Sequence, residues 1–183
     1  MSSLRSVALC LATLLLPSLA AGSLVQALDL SELTAQAERI VVAQVVSSKS
    51  DWDSSHRTIR TRIEIKVEEA WKGVVAPGER IVIVQPGGSV GNIEMRVHGM
   101  PGFALGEKTV LFLAGQAAAR VVGMSQGKRS VRWDDTAKRW VAEAAEHSAV
   151  VRRNSQGGLQ PALSDPATGL DEFRQRVRAL VKP

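Results

Sequence analysis

The sequence predicts a mainly β fold: a small antiparallel barrel of five to eight strands, with a short helix before it and an amphipathic C-terminal helix packed on it. Three observations carry this. Short β-branched segments recur at regular spacing with turn signals between them. The segment from Thr58 to Trp71 alternates apolar and polar residues over a length that suits a strand bending to serve both sides of a closed sheet. A stripe of apolar residues at helical period lies near the C-terminus.

Residues 1–27 stand apart from this pattern. Arg5 is the sole charge before Asp29, an apolar run spans Val7 to Leu16, and Pro17 and the small residues Ala20, Ala21 and Gly22 follow. This grammar predicts a cleavable signal peptide, cut after Ala20 or Ala21, or after Ala27, and hence an exported protein, periplasmic or extracellular. The alternative is an uncleaved anchor, against which stand the interruption by Pro17 and a run too short for a ~30 Å hydrocarbon core. Leu9 precedes Cys10 where a lipoprotein needs a small residue, so no lipid anchor is expected, and no transmembrane segment is expected after cleavage. Cys10 is the chain's single cysteine, so the domain that follows relies on packing and not on disulfides.

The full chain carries 23 basic and 18 acidic residues, net +5, and loss of residues 1–27 removes only Arg5, leaving 22 against 18, or +4. A mild excess of this kind favours contact with an anionic envelope component, but it serves mostly solubility. No nucleic-acid partner is expected for an exported protein, and three Phe without any Tyr make a poor base-stacking surface.

Within the barrel domain, residues 28–143, Leu30 to Ala37 reads as a short helix capped by Ser31, with Leu30, Leu33 and Ala37 on one face. Ile40 to Val46 is β-branched and apolar on both faces, which predicts a central strand, and Ser47 to Ser55 reads as a polar turn. In the next strand Ile59, Thr61, Ile63, Ile65, Val67 and Trp71 face one way, and Arg60, Arg62, Glu64, Lys66 and Glu68 the other. Pro77-Gly78 marks a turn, and Arg80 to Gln85 is a strand stopped by Pro86-Gly87-Gly88. Ile93, Met95 and Val97 alternate with Glu94, Arg96 and His98, predicting a half-buried strand. Gly99 to Phe103 is a loop, Thr109 to Leu113 a buried strand and Arg120 to Gly123 a short one.

Arg129 to Ala142 reads as a hairpin turning at Thr136-Ala137. That register sets Asp135 opposite Lys138, Asp134 opposite Arg139 and Trp133 opposite Trp140, three mutually consistent pairs. Residues 144–167 are polar, contain Gly157-Gly158, Pro161 and Pro166, and read as a surface loop or linker. Thr168 with Asp171 three residues on suggests a capping box for the last helix, residues 168–183, whose stripe is Leu170, Phe173, Val177, Leu180 and Val181.

Ala37 to Val45 (AERIVVAQV), Val67 to Gly73 (VEEAWKG) and Gly106 to Leu113 (GEKTVLFL) resemble the first strand, the end of the second strand and a later strand of netrin-like domains, a group that includes the tissue inhibitors of metalloproteinases and many exported bacterial proteins. The resemblance implies a five-stranded barrel of the oligonucleotide/oligosaccharide-binding (OB) type with helix packed against it. The inhibitors hold a protease's zinc through an N-terminal cysteine. No cysteine follows Cys10 here, so that mechanism transfers to no residue.

For chemistry, Gly87-Gly88-Ser89-Val90-Gly91 fits the G-x-S-x-G nucleophile pattern, and Asp134 or Asp135 followed by His147 completes a serine hydrolase order. A nucleophile elbow needs a helix immediately afterwards, whereas Asn92 to His98 reads as a strand. His56, His98 and His147 lie far apart, without metal-ligand spacing, and no metal or cofactor is expected. Pro86, Gly87, Gly88, Met100, Pro101 and Phe103 are the candidate binding residues, on two loops bracketing the strand Ile93 to His98 and therefore at its opposite ends. The competing reading has Met100 and Phe103 plugging the barrel.

Three functions remain open: an interaction module for an envelope or secreted protein, a polysaccharide-binding barrel using Trp52, Trp71 or the Trp133–Trp140 pair, and a small serine hydrolase using Ser89. The interaction module is the reading that needs no further feature.

Overall fold

The computed structural model describes residues 25–145, 150–153, 156, 158–162 and 165–181. The apolar run Val7 to Leu16, the expected cleavage positions after Ala20 and Ala21, and His147 lie outside the described residues.

The backbone of the fold is a pair of 14-residue strands, β2 (Arg39–Trp52) and β3 (Ile59–Lys72). β2 is central, pairing with β3 on one side and β7 (Lys108–Ala114) on the other. Its Ile40, Val41, Val42 and Ala43 are all buried, which is why the sequence reads apolar on both faces there. The expected turn at Ser47–Ser55 is shorter than the polar composition suggests. Ser47 to Trp52 stays paired with Ile59 to Glu64, because backbone ladders form between solvated side chains as well as buried ones. The reversal is confined to residues 53–58. There the Asp53 carboxylate accepts the Arg57 and Thr58 N–H groups and the Ser55 hydroxyl, and these bonds, that of Arg57 first, hold its carboxyl below the usual range.

The main sheet has eight strands in the order β13 (Thr168–Gly169), β10 (Arg139–Ala144), β9 (Lys128–Asp134), β7, β2, β3, β4 (Arg80–Pro86), with β8 (Arg120–Val121) also on β7. β7 divides its outer edge: Lys108 to Leu111 pairs with β9, and Leu113 and Ala114 pair with β8. Beside β8, Ala119 makes a parallel bridge to Ile83 of β4, with Val84 N–H donating to the Ala119 carbonyl at 3.0 Å and Ala119 N–H to that of Val82 at 2.9 Å. The antiparallel sheet therefore curls until β4 and the β8 segment touch. It is not a fully laddered closed barrel, because this seam is a single bridge, but the arrangement is compatible with one.

Curling splits the core in two. Val41, Ala43, Val45, Ile63, Ile65, Val67, Ile81, Ile83, Leu111 and Leu113 fill the inside of the curl. Ile40, Val42, Val110 and Phe112 face out from the same strands and are covered by α1 (Leu30–Gln36) and α2 (Leu170–Leu180), through Leu33, Leu170, Phe173 and Val177. Trp71 belongs to this outer cluster, not to the face of Ile59 to Val67. Bulges that leave Glu68 and Trp71 without a β2 partner shift the phase of β3 and turn the indole under Phe173, ring centroids 6.0 Å apart.

Helix ends also differ from expectation. α1 is capped by Asp29, not Ser31: Glu32 N–H donates to Asp29 and Asp29 N–H to Glu32, each at 2.8 Å, a complete capping box. α2 starts after Gly169 without a side-chain cap, since Thr168 is held extended in β13 opposite Ala142. Leu180 stays exposed, while Leu170, Phe173 and Val177 carry the packing. Residues 144–167, read as a loop, contain β11 (Val150–Arg153) and β12 (Leu159–Pro161), and β11 also pairs in parallel with β1 (Val25–Gln26).

Candidate binding cleft

The site grows out of the end of β4. Pro86 lacks an N–H and ends the ladder, and Gly87 N–H donates to the Ile59 carbonyl at 2.8 Å. The Thr61 hydroxyl donates to the Gly87 carbonyl at 2.6 Å and lies 2.9 Å from the Ser50 hydroxyl. Gly88, at φ 131°, then crosses so close to the β2–β3 ribbon that a Cβ there would run into the hydroxyls of Ser50 and Thr61. The chain forms a hairpin of β5 (Gly88–Val90) and β6 (Ile93–Met95).

After Met95 the expected strand does not continue. Arg96 and His98 are exposed, Val97 is half-buried, and the chain bends back through a turn at 97–100. Three bonds hold the returning loop: Ser125 N–H to the Gly99 carbonyl at 2.9 Å, Gln85 Nε2 to the Pro101 carbonyl at 3.0 Å, and Lys128 Nζ to the Gly102 carbonyl at 2.7 Å. The two candidate loops are thus side by side, not at opposite ends of a strand. A strand as short as β6 leaves the following residues unpaired, and that freedom permits the bend.

Between the loops lies an open cleft of about 420 Å³, walled by Pro86, Gly87, Gly88, Met95, Val97, Met100 and Pro101, with Thr61, Gln85, Glu94, Arg96 and His98 as its polar groups. An adjoining hollow of about 370 Å³ shares Gln85, Pro86, Met100 and Pro101 and runs on to Arg120 and Met124. Gln85 stands at the junction of the two, and its Oε1 is buried without a hydrogen-bond partner. On the rim Arg96 and Glu94 form an exposed pair at 2.7 Å, and the Arg96 hydrogen bond lowers the Glu94 carboxyl.

Five of the six candidate residues line this cleft, and Phe103 does not. Its ring packs on the inner core with Lys128 Nζ 5.0 Å from the ring centre, so it closes that end of the curl. The sequence pattern does not single out Thr61, Gln85 or Arg96, which also line the cleft. Gln85 had a signal, being the polar residue that ends the apolar run Arg80 to Gln85 just before Pro86-Gly87-Gly88.

The other candidates are scattered. Ser89 is exposed on β5, and a hairpin turn followed by β6, not a helix, comes after it. Asp134 and Asp135 sit at the tip of the β9–β10 hairpin. His56 lies in the 53–58 turn and His98 on the cleft rim. Among the described residues no group of three His, Cys, Asp or Glu is placed to hold a metal ion. Likewise, no helix there is long and apolar enough to cross a membrane.

Of the tryptophans, Trp71 is buried and Trp52 half-buried. Trp133 and Trp140 pair across the hairpin in the expected register, edge to face at 5.6 Å, with 44% and 45% of their surface exposed. A hollow of about 500 Å³ beside them is lined by Lys108, Lys138, Arg139 and the start of α2. Lys108 Nζ lies 5.2 Å from the Trp140 ring centre and 2.7 Å from Glu68.

Comparison with protein-family models, with characterised proteins and with solved structures finds no match for this chain.

Proposed function

We propose that this chain is an exported, non-enzymatic interaction module of the netrin-like type, and that an envelope or secreted protein seats in the cleft between residues 86–88 and 95–101. One observation carries the reading: the Pro86–Gly88 turn and the loop at Met100 and Pro101, which the sequence places at opposite ends of a strand, line one cleft. Apolar walls with a few fixed polar groups are the usual make-up of a binding site. The curled sheet, with β4 brought against the β8 segment, supports the OB-type part of the reading. Ser89 takes no catalytic role here, because no helix N-terminus follows it to supply an oxyanion site.

The test uses the purified chain as bait in an envelope or secreted fraction. A protein retained by the wild type and by Trp140→Ala, and lost with Met100→Asp at an unchanged melting temperature, supports the cleft. Equal retention by Met100→Asp removes the cleft from the interaction. A second reading, binding of polysaccharide, is favoured by the half-exposed Trp133–Trp140 pair beside its hollow. Quenching of tryptophan fluorescence by oligosaccharides, abolished by Trp140→Ala, would select it.

A further inference from the structure

The two cleavage positions legible in the leader make different proteins, and the fold distinguishes them. Cutting after Ala20 or Ala21 leaves Val25 to Leu28 in the mature chain, whereas cutting after Ala27 removes Val25, Gln26 and Ala27. These residues are built into the domain. Val25 and Gln26 form β1, in register with Val150 and Val151 of β11, and Ala27 N–H donates to the Val151 carbonyl at 2.8 Å. The side chain of Gln126, only 4% exposed, clamps the segment from the other side. Its Oε1 accepts Leu28 N–H at 2.8 Å, and its Nε2 donates to the Gln26 carbonyl at 3.0 Å.

We infer that the leader is removed upstream of Val25, after Ala20 or Ala21, and that residues 25–28 persist in the mature protein as a structural strand. The inference rests on reading the N-terminal segment, with its apolar run Val7 to Leu16, as an export signal. The step is hydrolysis of one peptide bond by an export-pathway peptidase that requires small residues at its cut. Water supplies the hydroxyl of the leader's new carboxylate and a proton of the domain's new amine. Such processing acts on an extended chain, so the fold does not shield either site; it decides which product is sound. The product starting at Leu28 would leave the β11–β12 pair without its third strand, and a lone two-stranded ribbon is marginal in water. It would also take from the buried Gln126 amide its bond to Gln26.

Intact mass and N-terminal sequencing of the product of the full chain, expressed with its leader in an exporting host, decide the matter. A product beginning at Ala21 or Gly22 is expected, and Ala27→Leu, which blocks the downstream cut, leaves that terminus unchanged. A wild-type product beginning at Leu28 overturns the inference while keeping the leader. A product beginning at Met1 overturns the leader reading itself, and the inference with it. Separately, a chain made to begin at Leu28 should melt roughly 4–8 °C below one beginning at Ala21, from two or three lost hydrogen bonds. Equal melting temperatures refute the structural role of β1.

Discussion

At Gly88 and Glu107, partners brought in by the fold restrict which residue the chain can carry. Gly88 holds a positive φ and has no space for a Cβ between the Ser50 and Thr61 hydroxyls. Gly88→Ala therefore adds backbone strain to a steric clash, and a loss of about 2–4 kcal/mol in chemical denaturation is expected, with the hairpin β5–β6 displaced. Glu107 tethers the loop that ends at Phe103. Burial pushes its carboxyl up, but hydrogen bonds from Lys128 at 2.6 Å, Ser130 at 2.7 Å and the Ala104 amide at 3.1 Å outweigh this and leave it below its ordinary value near 4.5. A carboxyl lowered by folding stabilises the protein above its unfolded value and loses that contribution as pH falls through the folded one. Urea midpoints should thus show Glu107→Gln destabilised by roughly 1.5–3 kcal/mol at neutral pH, with the gap to wild type closing on acidification below the ordinary carboxylate range. A gap independent of pH would contradict the assignment. Neither role was legible in the sequence, where Gly88 is one of several turn glycines and Glu107 follows Gly106 like any loop acid. Their partners come from strands distant along the chain.

Among the elements, α2 buries three side chains, Leu170, Phe173 and Val177. Phe173 meets Trp71 at 6.0 Å and Phe112 at 6.4 Å, edge to face, and is 4% exposed, whereas Leu180 on the sequence's stripe is 38% exposed. Phe173→Ala should cost about 3–5 kcal/mol, and Leu180→Ala less than about 0.5 kcal/mol, in thermal or urea unfolding. Similar losses at the two positions would mean that the helix seats differently. On the β9–β10 hairpin, the Trp133–Trp140 contact should show a coupling of about 0.5–1.5 kcal/mol in a double-mutant cycle, and additive single losses would show that the pair does not interact. The hairpin's register was readable because its opposite charges and aromatic pair all fall in line in one short segment. The Trp71 side was misread for the opposite reason: strict alternation assumes an unbroken ladder, and bulges on β3 break it.

At the scale of the whole molecule, the helices cover the apolar residues that the curled sheet turns outward. α2 covers the outer cluster of β2 and β7, and Arg174 reaches the Glu69 carboxylate of β3 at 2.9 Å, with Arg178 on the same carboxylate at 3.1 Å. A chain ending at Ala167 would expose Trp71, Phe112 and Val110 to water. It should melt well below the full-length protein or aggregate. If the two melt alike, the helix is not part of the domain and becomes a partner-binding candidate instead.

The sequence by itself determined the fold class, the central strand, the long β3, the β9–β10 register, and the two loops whose Gly and Pro residues break the ladder. Each of these rests on contacts within a few residues or on the period of one strand, and such information is carried locally. Tertiary structure alone decided that the sheet curls until Ile83 meets Ala119, that the strands carry two cores, and that the loops at Pro86 and Met100 meet in one cleft. It also decided that residues 25–28 belong to the domain, through a glutamine about a hundred residues away. Those outcomes depend on which distant backbones pair. Pairing is set by twist, bulges and buried partners over the whole chain, so no single segment encodes it.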